Sequence, residues 1–548
     1  MAIDALLPGV VASHPFLTIF ALITVPLLGT LLYDVQQWMR MPPGPTPLPF
    51  VGNKYLIPKS KPWIQFKKWS DEYGPIFTLW IGRKPTVIIS DPAIAIDLLE
   101  KRGNKYASRP RMIAMGEIYN NNASILVQPY GKEWTIRRKL LHYAMTPKAL
   151  RLYKPIQEAE ASRLCYQLLH DPANYEKLIE RFTSSIVFCV AYGHRIDSLK
   201  AEVIRQRFDF MHFQASLNVP GKYAVETMPF LKYVPNALAP WKKEIQAKGA
   251  AEGRANLELL QMVKDDLARN GKANVPDSLC KLLLEVRETE PIPLTETEFS
   301  YIPASLFGAG SDTTASTLCT AVLALITHPA TLKRAQMELD TVIGDSRTPT
   351  FADEASLPYI RALVKEVLRW RPVAVLGGTP RSTTAPDDYE GYHIPLDTSV
   401  LSNFWAINLN EEYYPNPHRF DPVRFLSLTS STPLGDEDQK AAVQYQGPKS
   451  YPGKTGENVF GVGRRICPGA NLAENSLYIA LSKLLWAYDI LPIEGMHYDT
   501  FDYTEGFNIR PKPFKCRISV RSEAHRRVLE REEKDAEAFL EKFTPFGE

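Results

Sequence analysis

The first apolar segment of the chain is long and carries no charge. No Asp, Glu, Lys or Arg occurs from Ala5 to Tyr33, and a helix that crosses a bilayer needs about 20 such residues. Basic residues begin at Arg40 and are absent before the run, which predicts that the rest of the chain lies on the cytosolic side. We therefore predict a membrane anchor in residues 1–40, with a helix over about 10–33. A cleaved signal peptide is the alternative, although a basic lead-in and an A-x-A site are both missing.

Proline and β-branched residues organise the next part of the chain. Residues 41–53 begin with Met-Pro-Pro-Gly-Pro, and because proline cannot continue a helix, we predict a stiff hinge there. The apolar stretches Ile76–Ile81 and Thr86–Ile89 are rich in β-branched residues and are separated by Gly82-Arg83. That pattern predicts a hairpin in a minor β-sheet.

Most of the remaining chain has the periodicity of helices. The pattern holds from about Asp91 to Leu339, with prolines that mark helix boundaries. No linker, repeat or long low-complexity run divides residues 54–522, so we predict one large, mainly α domain. Residues 523–548 are charged and helix-prone, and a solvated helical tail is expected for them.

One predicted helix contains residues that helices do not favour. Thr295 and Glu298 form a capping-box pattern, and apolar periodicity continues from there to His328, about 50 Å at 1.5 Å per residue. Ala309–Thr314 inside it reads A-G-S-D-T-T, although these polar residues prefer caps and turns. Such a loss of helix propensity often marks a functional site, and a bent structural helix is the alternative. Pro303 should kink or divide the helix.

The polar segment predicts a notch in the surface of this helix. We expect the Thr313 hydroxyl to bond back to the carbonyl of Ala309, which loosens the turn. We also expect Gly310 to let a flat ligand approach the backbone. Gly308 and Gly310 resemble a dinucleotide fingerprint only superficially, because the third glycine and the strand-turn-helix setting are missing.

Composition and charge narrow the functional classes. The chain has 548 residues, 45% of them hydrophobic, which is enough for a sizeable core, and its formal net charge is +3. So mild a positive charge, without basic runs between aromatics, argues against nucleic acid as a partner. The six cysteines are scattered, without a C-x-x-C pair or zinc-finger spacing. That distribution favours reduced thiols.

One cysteine lies in a loop that presents it. Cys467 follows Phe460–Ile466, which reads F-G-V-G-R-R-I, and precedes Pro468-Gly469, where the next helix is predicted to begin. The helix N-terminus is expected to lower the pKa of the thiol and to favour the thiolate that ligates metals. A lone thiolate as axial ligand of haem iron favours cleavage of a bound O–O bond. The alternative is a buried structural cysteine in a glycine-rich turn.

The pattern F-x-x-G-x-R-x-C-x-G over residues 460–469 resembles the haem-binding loop of the cytochrome P-450 family at every specified position. The resemblance covers nearly the whole chain and implies the cytochrome P-450 fold, mainly α with a minor β-sheet region and an N-terminal transmembrane helix. Four further motifs occur in the order of that family: W-x-x-x-R at Trp134–Arg138, A-G-x-D-T at Ala309–Thr313, E-x-x-R at Glu366–Arg369 and P-x-R-F at Pro422–Phe425.

The resemblance implies a role for each matched residue. Haem b with an axial thiolate from Cys467 is the implied cofactor, and Asp312 and Thr313 are implied to relay protons during oxygen activation. The residues implied to hold the haem are Trp134, Arg138, Arg381, Phe460, Arg465 and Gly469. The residues implied by analogy to line the substrate pocket are Met115, Phe210, Phe213, Leu306, Phe307, Ala309, Val375 and Phe507.

A charged pair on a later helix predicts a buried contact. Glu366 and Arg369 are three residues apart on one helical face, and their flanks are apolar. An unpaired charge in such a place would be costly, so we expect the pair to be partly buried. The resemblance implies Arg424 as the third member of a structural triad.

The implied activity is that of a membrane-anchored monooxygenase. It would insert one oxygen atom of O2 into a C–H or C=C bond of a hydrophobic small molecule, in secondary metabolism or xenobiotic metabolism. The chain has no convincing NAD or flavin motif, so electrons are expected from NADPH-cytochrome P-450 reductase, with cytochrome b5 as a second candidate donor. The donor is expected to dock near Arg137, Lys139 and Arg464.

The location implied by the resemblance is the endoplasmic reticulum membrane, with one transmembrane pass and the catalytic domain in the cytosol. Two alternatives come from other functional classes. The first is a haem-thiolate isomerase or dehydratase, which would need no external electrons. The second is a non-catalytic haem-binding membrane protein, which would have little need for Asp312 and Thr313.

Overall fold

A computed structural model describes residues 15–218, 222–430, 435–453 and 458–546. Helices dominate these residues and small sheets accompany them, which confirms the predicted mainly α class with a minor β region. The α-helices are α1 Pro15–Arg40, α2 Pro62–Tyr73, α3 Pro92–Ile96, α4 Lys132–Tyr143, α5 Pro147–His170, α6 Tyr175–Tyr192, α7 Glu202–Leu217, α8 Pro240–Asn270, α9 Leu279–Thr289, α10 Glu296–Thr327, α11 Pro329–Val342, α12 Pro358–Trp370, α13 Phe404–Asn408, α14 Val423–Thr429, α15 Asp436–Val443, α16 Ala470–Ala487 and α17 Glu523–Leu540.

The predicted hairpin is the start of the largest sheet. Its first two strands pair antiparallel, with Ile76 opposite Ile89, and a third strand continues the sheet in parallel, with Val87 opposite Val400. The strands are β1 Ile76–Ile81, β2 Lys84–Ile89, β3 His194–Arg195, β4 Arg381–Ser382, β5 Asp387–Tyr389, β6 Tyr392–Ile394, β7 Ser399–Ser402, β8 Tyr488–Leu491, β9 Arg517–Val520 and β10 Thr544–Pro545. The order of strands in the largest sheet is β1-β2-β7-β4, and the other strands form the pairs β5-β6, β8-β9 and β3-β10.

The long helix α10 is the central element of the core. Its capping box forms as predicted, since the Glu298 N–H donates to Thr295 Oγ1 at 3.2 Å and the Thr295 N–H donates to Glu298 Oε2 at 2.9 Å. The helix is not divided at Pro303 and continues to Thr327. Every residue from Phe299 to Pro303 is buried, so tertiary packing around the proline outweighs the hydrogen bond that it removes.

The N-terminal segment meets the main sheet. Asp34 on α1 forms an ion pair with Arg83 at 2.7 Å, and the Thr78 N–H of β1 donates to the Pro43 carbonyl at 3.0 Å. The predicted start of the helix near residue 10 lies outside the described residues. Within the described residues, no single helix is both long and apolar enough for a membrane span, while α10 and α11, bent by 105°, pass that test as a pair.

The C-terminal segment is not the solvated tail that its charge suggested. Helix α17 turns His525, Val528, Leu529, Ala536 and Leu540 into the protein, where they are buried. The strand that follows it pairs in parallel with β3. The apolar residues recur at helical spacing between charged ones, so the high charge concealed an amphipathic face.

Candidate active site

A cavity of about 1120 Å³ lies between α10, the cysteine loop, α7 and α8. It brings together the two polar features of the sequence, the notch of α10 and the sulfur of Cys467. The residues predicted to contact the cofactor or to carry the chemistry line it together: Trp134, Arg138, Asp312, Thr313, Arg381, Phe460, Arg465, Cys467 and Gly469. Most of the predicted pocket residues line it too: Met115, Phe210, Leu306, Phe307, Ala309, Val375 and Phe507.

Phe213 is the predicted pocket residue that does not line this cavity in the described part of the chain. Its ring lies 5.6 Å from the ring of Tyr119, in a small apolar cluster with Leu217, Val225 and Ile245. The resemblance implied that Phe210 and Phe213 of α7 both line the pocket. Three residues are 300° of helical rotation, so the two rings diverge by about 60° and face different neighbours.

The cysteine loop owes its shape to two glycines. Gly461 and Gly463 have φ values of 74° and 66°, a region that side chains disfavour. A Cβ on Gly463 would also lie 2.0 Å from the carbonyl oxygen of Leu99. The loop closes where the Cys467 N–H donates to the Phe460 carbonyl at 2.8 Å. Cys467 is thereby exposed to the cavity, although the surrounding protein still desolvates its thiol.

The prediction that the pKa of the Cys467 thiol is lowered is wrong. Burial raises the pKa of this thiol and outweighs a backbone hydrogen bond from Gly469 and the charge of Arg138, which both lower it. The helix N-terminus therefore contributes in the predicted direction, but desolvation is stronger. A metal cation at the sulfur would favour the thiolate far more than a helix dipole does.

Four arginines line the cavity beside the cysteine loop: Arg109, Arg138, Arg381 and Arg465. Each donates to backbone carbonyl oxygens, over distances of 2.5 to 3.2 Å. Among the described residues, no carboxylate forms an ion pair with any of them. The guanidinium of Arg465 also lies 4.5 Å from the centre of the Trp134 ring.

These arginines leave the cavity wall with uncompensated positive charge. Burial lowers the pKa of Arg381 to about 10 and that of Arg465 to about 9, with repulsion from Arg381 and Arg138 as a second cause. Buried cations are stable only when they are paired. The two propionates of haem b supply two anions, and guanidinium groups suit carboxylates well. The cavity residues therefore fit haem b with Cys467 as its axial ligand.

Of these four arginines, Arg109 is the one that the motifs did not indicate. Its Nη1 donates to the carbonyls of Thr379 and Pro380 at 2.5 and 2.9 Å, and its Nε donates to that of Leu126 at 3.0 Å. Burial, with repulsion from the neighbouring arginines, holds its pKa well below the usual value. These partners are distant in sequence, and the only local signal is Pro110, which favours extended backbone before it.

The notch of α10 forms in part as predicted. The Thr313 hydroxyl donates to the Ala309 carbonyl at 2.6 Å, which confirms the expected bond within the helix. The carboxylate of Asp312 accepts a hydrogen bond from Asn508 Nδ2 at 3.1 Å. Asn508 follows the predicted pocket residue Phe507, so the C-terminal loop holds Asp312 at the edge of the cavity.

The structure explains the need for glycine at position 310 differently from our prediction. A Cβ on Gly310 would lie 2.5 Å from Cγ1 of Val187 on α6. The missing side chain is thus needed for the close crossing of α6 and α10 rather than for the approach of a flat ligand. Sequence alone could not show this, because Val187 is more than a hundred residues away.

Replacement of Gly310 by alanine is expected to destabilise the protein by about 1–3 kcal/mol, the usual cost of overpacking a core. The measurement is the free energy of unfolding in denaturant. Val187→Ala in the same chain removes the clashing methyl groups and should recover part of the loss. If Gly310→Ala alone unfolds at the wild-type denaturant concentration, the helix crossing is not as close as described.

The predicted structural triad forms on the cysteine side of the domain. Arg369 donates to both oxygens of Glu366, at 2.7 and 2.8 Å, and all of these atoms are fully buried. Arg424 donates to the same carboxylate at 3.3 Å and to the carbonyls of Pro415 and Asn416 at 2.6 and 2.7 Å. Glu366 therefore joins α12 to the segment that leads to the cysteine loop.

One residue expected on the donor-docking surface is buried. Arg137 has no exposed side-chain area and pairs with Glu298 at 2.6 Å, so the prediction that it helps to dock an electron donor is wrong. In W-x-x-x-R, position 137 faces the core because α4 turns one face to α10. Lys139 and Arg464, the other two predicted docking residues, are exposed.

Comparison with known proteins identifies the family of this chain. A model of the cytochrome P-450 family matches residues 42–518. Cytochrome P-450 monooxygenase 253 of Postia placenta is 35% identical over 534 residues, which cover 93% of this chain and 95% of that protein. The monooxygenase FrzL of Cladobotryum sp is 32% identical over 97% of each chain, and aneD of Aspergillus aculeatus is 32% identical over 94% of this chain. The chain therefore belongs to the cytochrome P-450 family and is a haem b monooxygenase with an axial thiolate.

Proposed function

We propose that the protein hydroxylates or epoxidises a hydrophobic small molecule, with O2 and with electrons from NADPH that arrive through a partner reductase. The observation that carries the proposal is one cavity lined both by Cys467 and by the Asp312-Thr313 notch. Its apolar and aromatic wall favours a hydrophobic substrate of secondary metabolism or a xenobiotic. Monooxygenases of this family use O2 and a redox partner.

Residues on one face of the cavity would hold the haem, and residues on the opposite face would transfer protons. The haem would supply the oxidising chemistry, and Cys467 with the four cavity arginines would hold it. Thr313 presents a hydroxyl at the notch, and Asp312 presents a carboxylate that Asn508 keeps in position. This pair can pass a proton from the protein interior to the cavity. The isomerase and dehydratase alternatives would leave that pair without a task.

Replacement of Thr313 by alanine is expected to lower the amount of product per NADPH consumed by at least about tenfold, because a positioned proton donor is lost. Thr313→Ser should retain most of the yield, since it keeps the hydroxyl. The measurement is product and hydrogen peroxide in a mixture with NADPH and reductase.

A matched control is Thr327→Ala, which removes an equivalent bond to the Leu323 carbonyl, 2.8 Å long, at a position that does not line the cavity. Unchanged coupling in Thr313→Ala would contradict the proton-transfer role. Product formation without NADPH would instead support the isomerase or dehydratase alternative.

NADPH-cytochrome P-450 reductase is the electron donor that we propose, with cytochrome b5 as a second candidate. The support is an exposed patch beside the cysteine loop that consists of Lys139, Arg464 and the apolar Ile466. Arg138 donates to the carbonyl of Ile466 at 2.7 Å and lines the cavity from inside. The patch is therefore one residue layer from the site. Lys139 pairs with the exposed Glu290 at 3.5 Å, and Arg464 bears positive charge that suits an acidic partner surface.

We further infer that residues 1–40, which include α1, anchor the protein in the endoplasmic reticulum membrane, and that residues 41–53 connect the anchor to the catalytic domain. Phe16, Phe20 and Ile23 are 86%, 64% and 63% exposed, and a large exposed apolar surface marks contact with a membrane or partner. Truncation to a chain that starts at Met41 should move the protein from the membrane pellet to the supernatant. A full-length protein that stays in the supernatant would contradict the anchor.

A further inference from the structure

The wall of the cavity formed by α7, α8 and the first turns of α10 contains a cluster of buried polar side chains. Arg207, Asn256, Glu252 and Tyr301 are 5%, 1%, 7% and 7% exposed, and all of them line the cavity. Arg207 Nη1 donates to Asn256 Oδ1. This wall combines apolar side chains such as Phe210 and Met211 with further polar ones such as His212 and Gln214. Buried polar groups are normally hydrogen bonded, so any that lack a partner here call for a chemical reason.

Several donors in the cluster have no partner. Arg207 Nε and Nη2 and Asn256 Nδ2 are buried and make no hydrogen bond within the described part of the chain. A guanidinium stays protonated, so its buried N–H groups cannot lose their charge. Burial without an acceptor costs free energy for each group. On the cavity side of α7 and α8, these hydrogen-bond donors therefore lack an acceptor among the described residues.

The nearby carboxylate does not fill that need. Glu252 accepts hydrogen bonds from Gln214 Nε2 at 2.5 Å and from the Tyr301 hydroxyl at 3.2 Å. It forms no ion pair with Arg207 among the described residues, although burial raises its pKa to about 6 and the charge of Arg207 opposes that rise. Glu252 is therefore held by its own partners, and the Arg207 fork is left for another acceptor.

The cluster is far from the reacting end of the cavity. Tyr301 precedes Thr313 by twelve residues on α10, which is about 18 Å along the helix axis at 1.5 Å per residue. A substrate that contacts both places must be elongated. Its reacting carbon would lie near Thr313 and Cys467, and its other end would meet Arg207 and Asn256.

We propose that Arg207 and Asn256 form a distal recognition site for a substrate oxygen that accepts hydrogen bonds, either a carbonyl or a carboxylate. The substrate class is then an elongated apolar molecule with such a group at the end remote from Cys467. This inference rests on the proposed monooxygenase function, since it assigns the oxidised carbon to the opposite end. A carbonyl and a carboxylate offer the same acceptor chemistry to an arginine fork.

The test measures binding of three chains of similar length to the full-length holoenzyme in detergent: dodecanoate, 2-tridecanone and tridecane. Dissociation constants come from the change in the haem absorption spectrum. Arg207→Met should weaken the binding of dodecanoate, 2-tridecanone or both by about 10- to 100-fold and leave tridecane unchanged. A loss confined to dodecanoate identifies a carboxylate, a loss confined to 2-tridecanone identifies a neutral carbonyl, and a loss for both identifies a site that takes either acceptor.

Arg205→Met is the matched control, because Arg205 lies on the same helix but is 64% exposed and pairs with Glu202. It should leave all three dissociation constants unchanged. Asn256→Leu removes the neighbouring donor and should give the same selective loss, which covers the case that Arg207→Met does not fold. The ratio of affinities within one protein is the decisive quantity, since a general loss of stability affects all ligands alike.

The proposal is overturned if the wild-type protein binds the three chains equally, or if Arg207→Met and Asn256→Leu keep the wild-type ratio. Arg207 and Asn256 would then serve only to join α7 to α8. Failure of the proposed function is recognised separately: the ferrous carbonyl adduct of the wild-type protein would lack the red-shifted Soret band of thiolate ligation. A normal band with no discrimination among ligands would refute the distal site alone.

Discussion

Replacement of Cys467 by alanine is expected to reduce turnover to the background rate and to remove the red-shifted Soret band of the ferrous carbonyl adduct. Cys467 is the cysteine that lines the cavity among the described residues. Without its sulfur, the cysteine loop offers the iron no thiolate, and the electronic push that favours O–O cleavage is lost. The measurements are the absorption spectrum of the reduced carbonyl adduct and product formation with NADPH and reductase.

Cys516→Ala is the matched control for this variant. Cys516 is partly exposed, and burial raises the pKa of its thiol to about 12, so it is not a thiolate at neutral pH. Its removal should leave spectrum and turnover unchanged. A Cys467→Ala protein with the wild-type spectrum would show that another residue ligates the iron and would refute the site.

The features that the sequence predicted correctly depend on short spacings. The hydroxyl of Thr313 reaches the carbonyl of Ala309 because four residues make about one helical turn. The capping box of α10 follows from another short spacing, the three residues from Thr295 to Glu298. The cysteine loop was predictable because its glycines, arginine and cysteine lie within ten residues. Such patterns fix local geometry before any tertiary contact forms.

The features that sequence reasoning missed depend on contacts between distant segments. Arg109 lines the cavity because it donates to the carbonyl of Thr379, which is 270 residues away in sequence. Position 310 requires glycine because Val187 of α6 packs against it. Arg137 looked like a surface charge until α4 packed against the start of α10, where Glu298 pairs with it. No local pattern encodes these neighbours, so only the folded chain shows them.

The distal site and the cysteine loop also differ in how their charges are satisfied. The four arginines near Cys467 fit the propionates of haem b, the cofactor of the family. Arg207 lies at the other end of the cavity, where no cofactor group is expected, and its unpartnered nitrogens therefore concern the substrate. Guanidinium groups without an ion-pair partner among the described residues thus lie at both ends of one cavity, and we propose a different ligand for each.

Glu366→Gln is expected to destabilise the protein by about 3–5 kcal/mol, because it leaves two buried guanidinium groups without a counter-charge. Arg369 and Glu366 have no exposed side-chain area, and Arg424 is 2% exposed. Glutamine preserves the shape of the side chain, so the loss reports charge rather than packing. The measurement is the free energy of unfolding of the haem-loaded protein in denaturant.

The exposed pair Glu202–Arg205 provides the control, since it has the same spacing of three residues on a helix but side chains that are 67% and 64% exposed. Glu202→Gln should change the free energy of unfolding by at most about 0.5 kcal/mol. A loss of less than about 1 kcal/mol in Glu366→Gln would mean that the two arginines are satisfied by backbone carbonyls alone. The two sites share residue types and sequence spacing, so the contrast between them reports the burial of Glu366 together with its second arginine, Arg424.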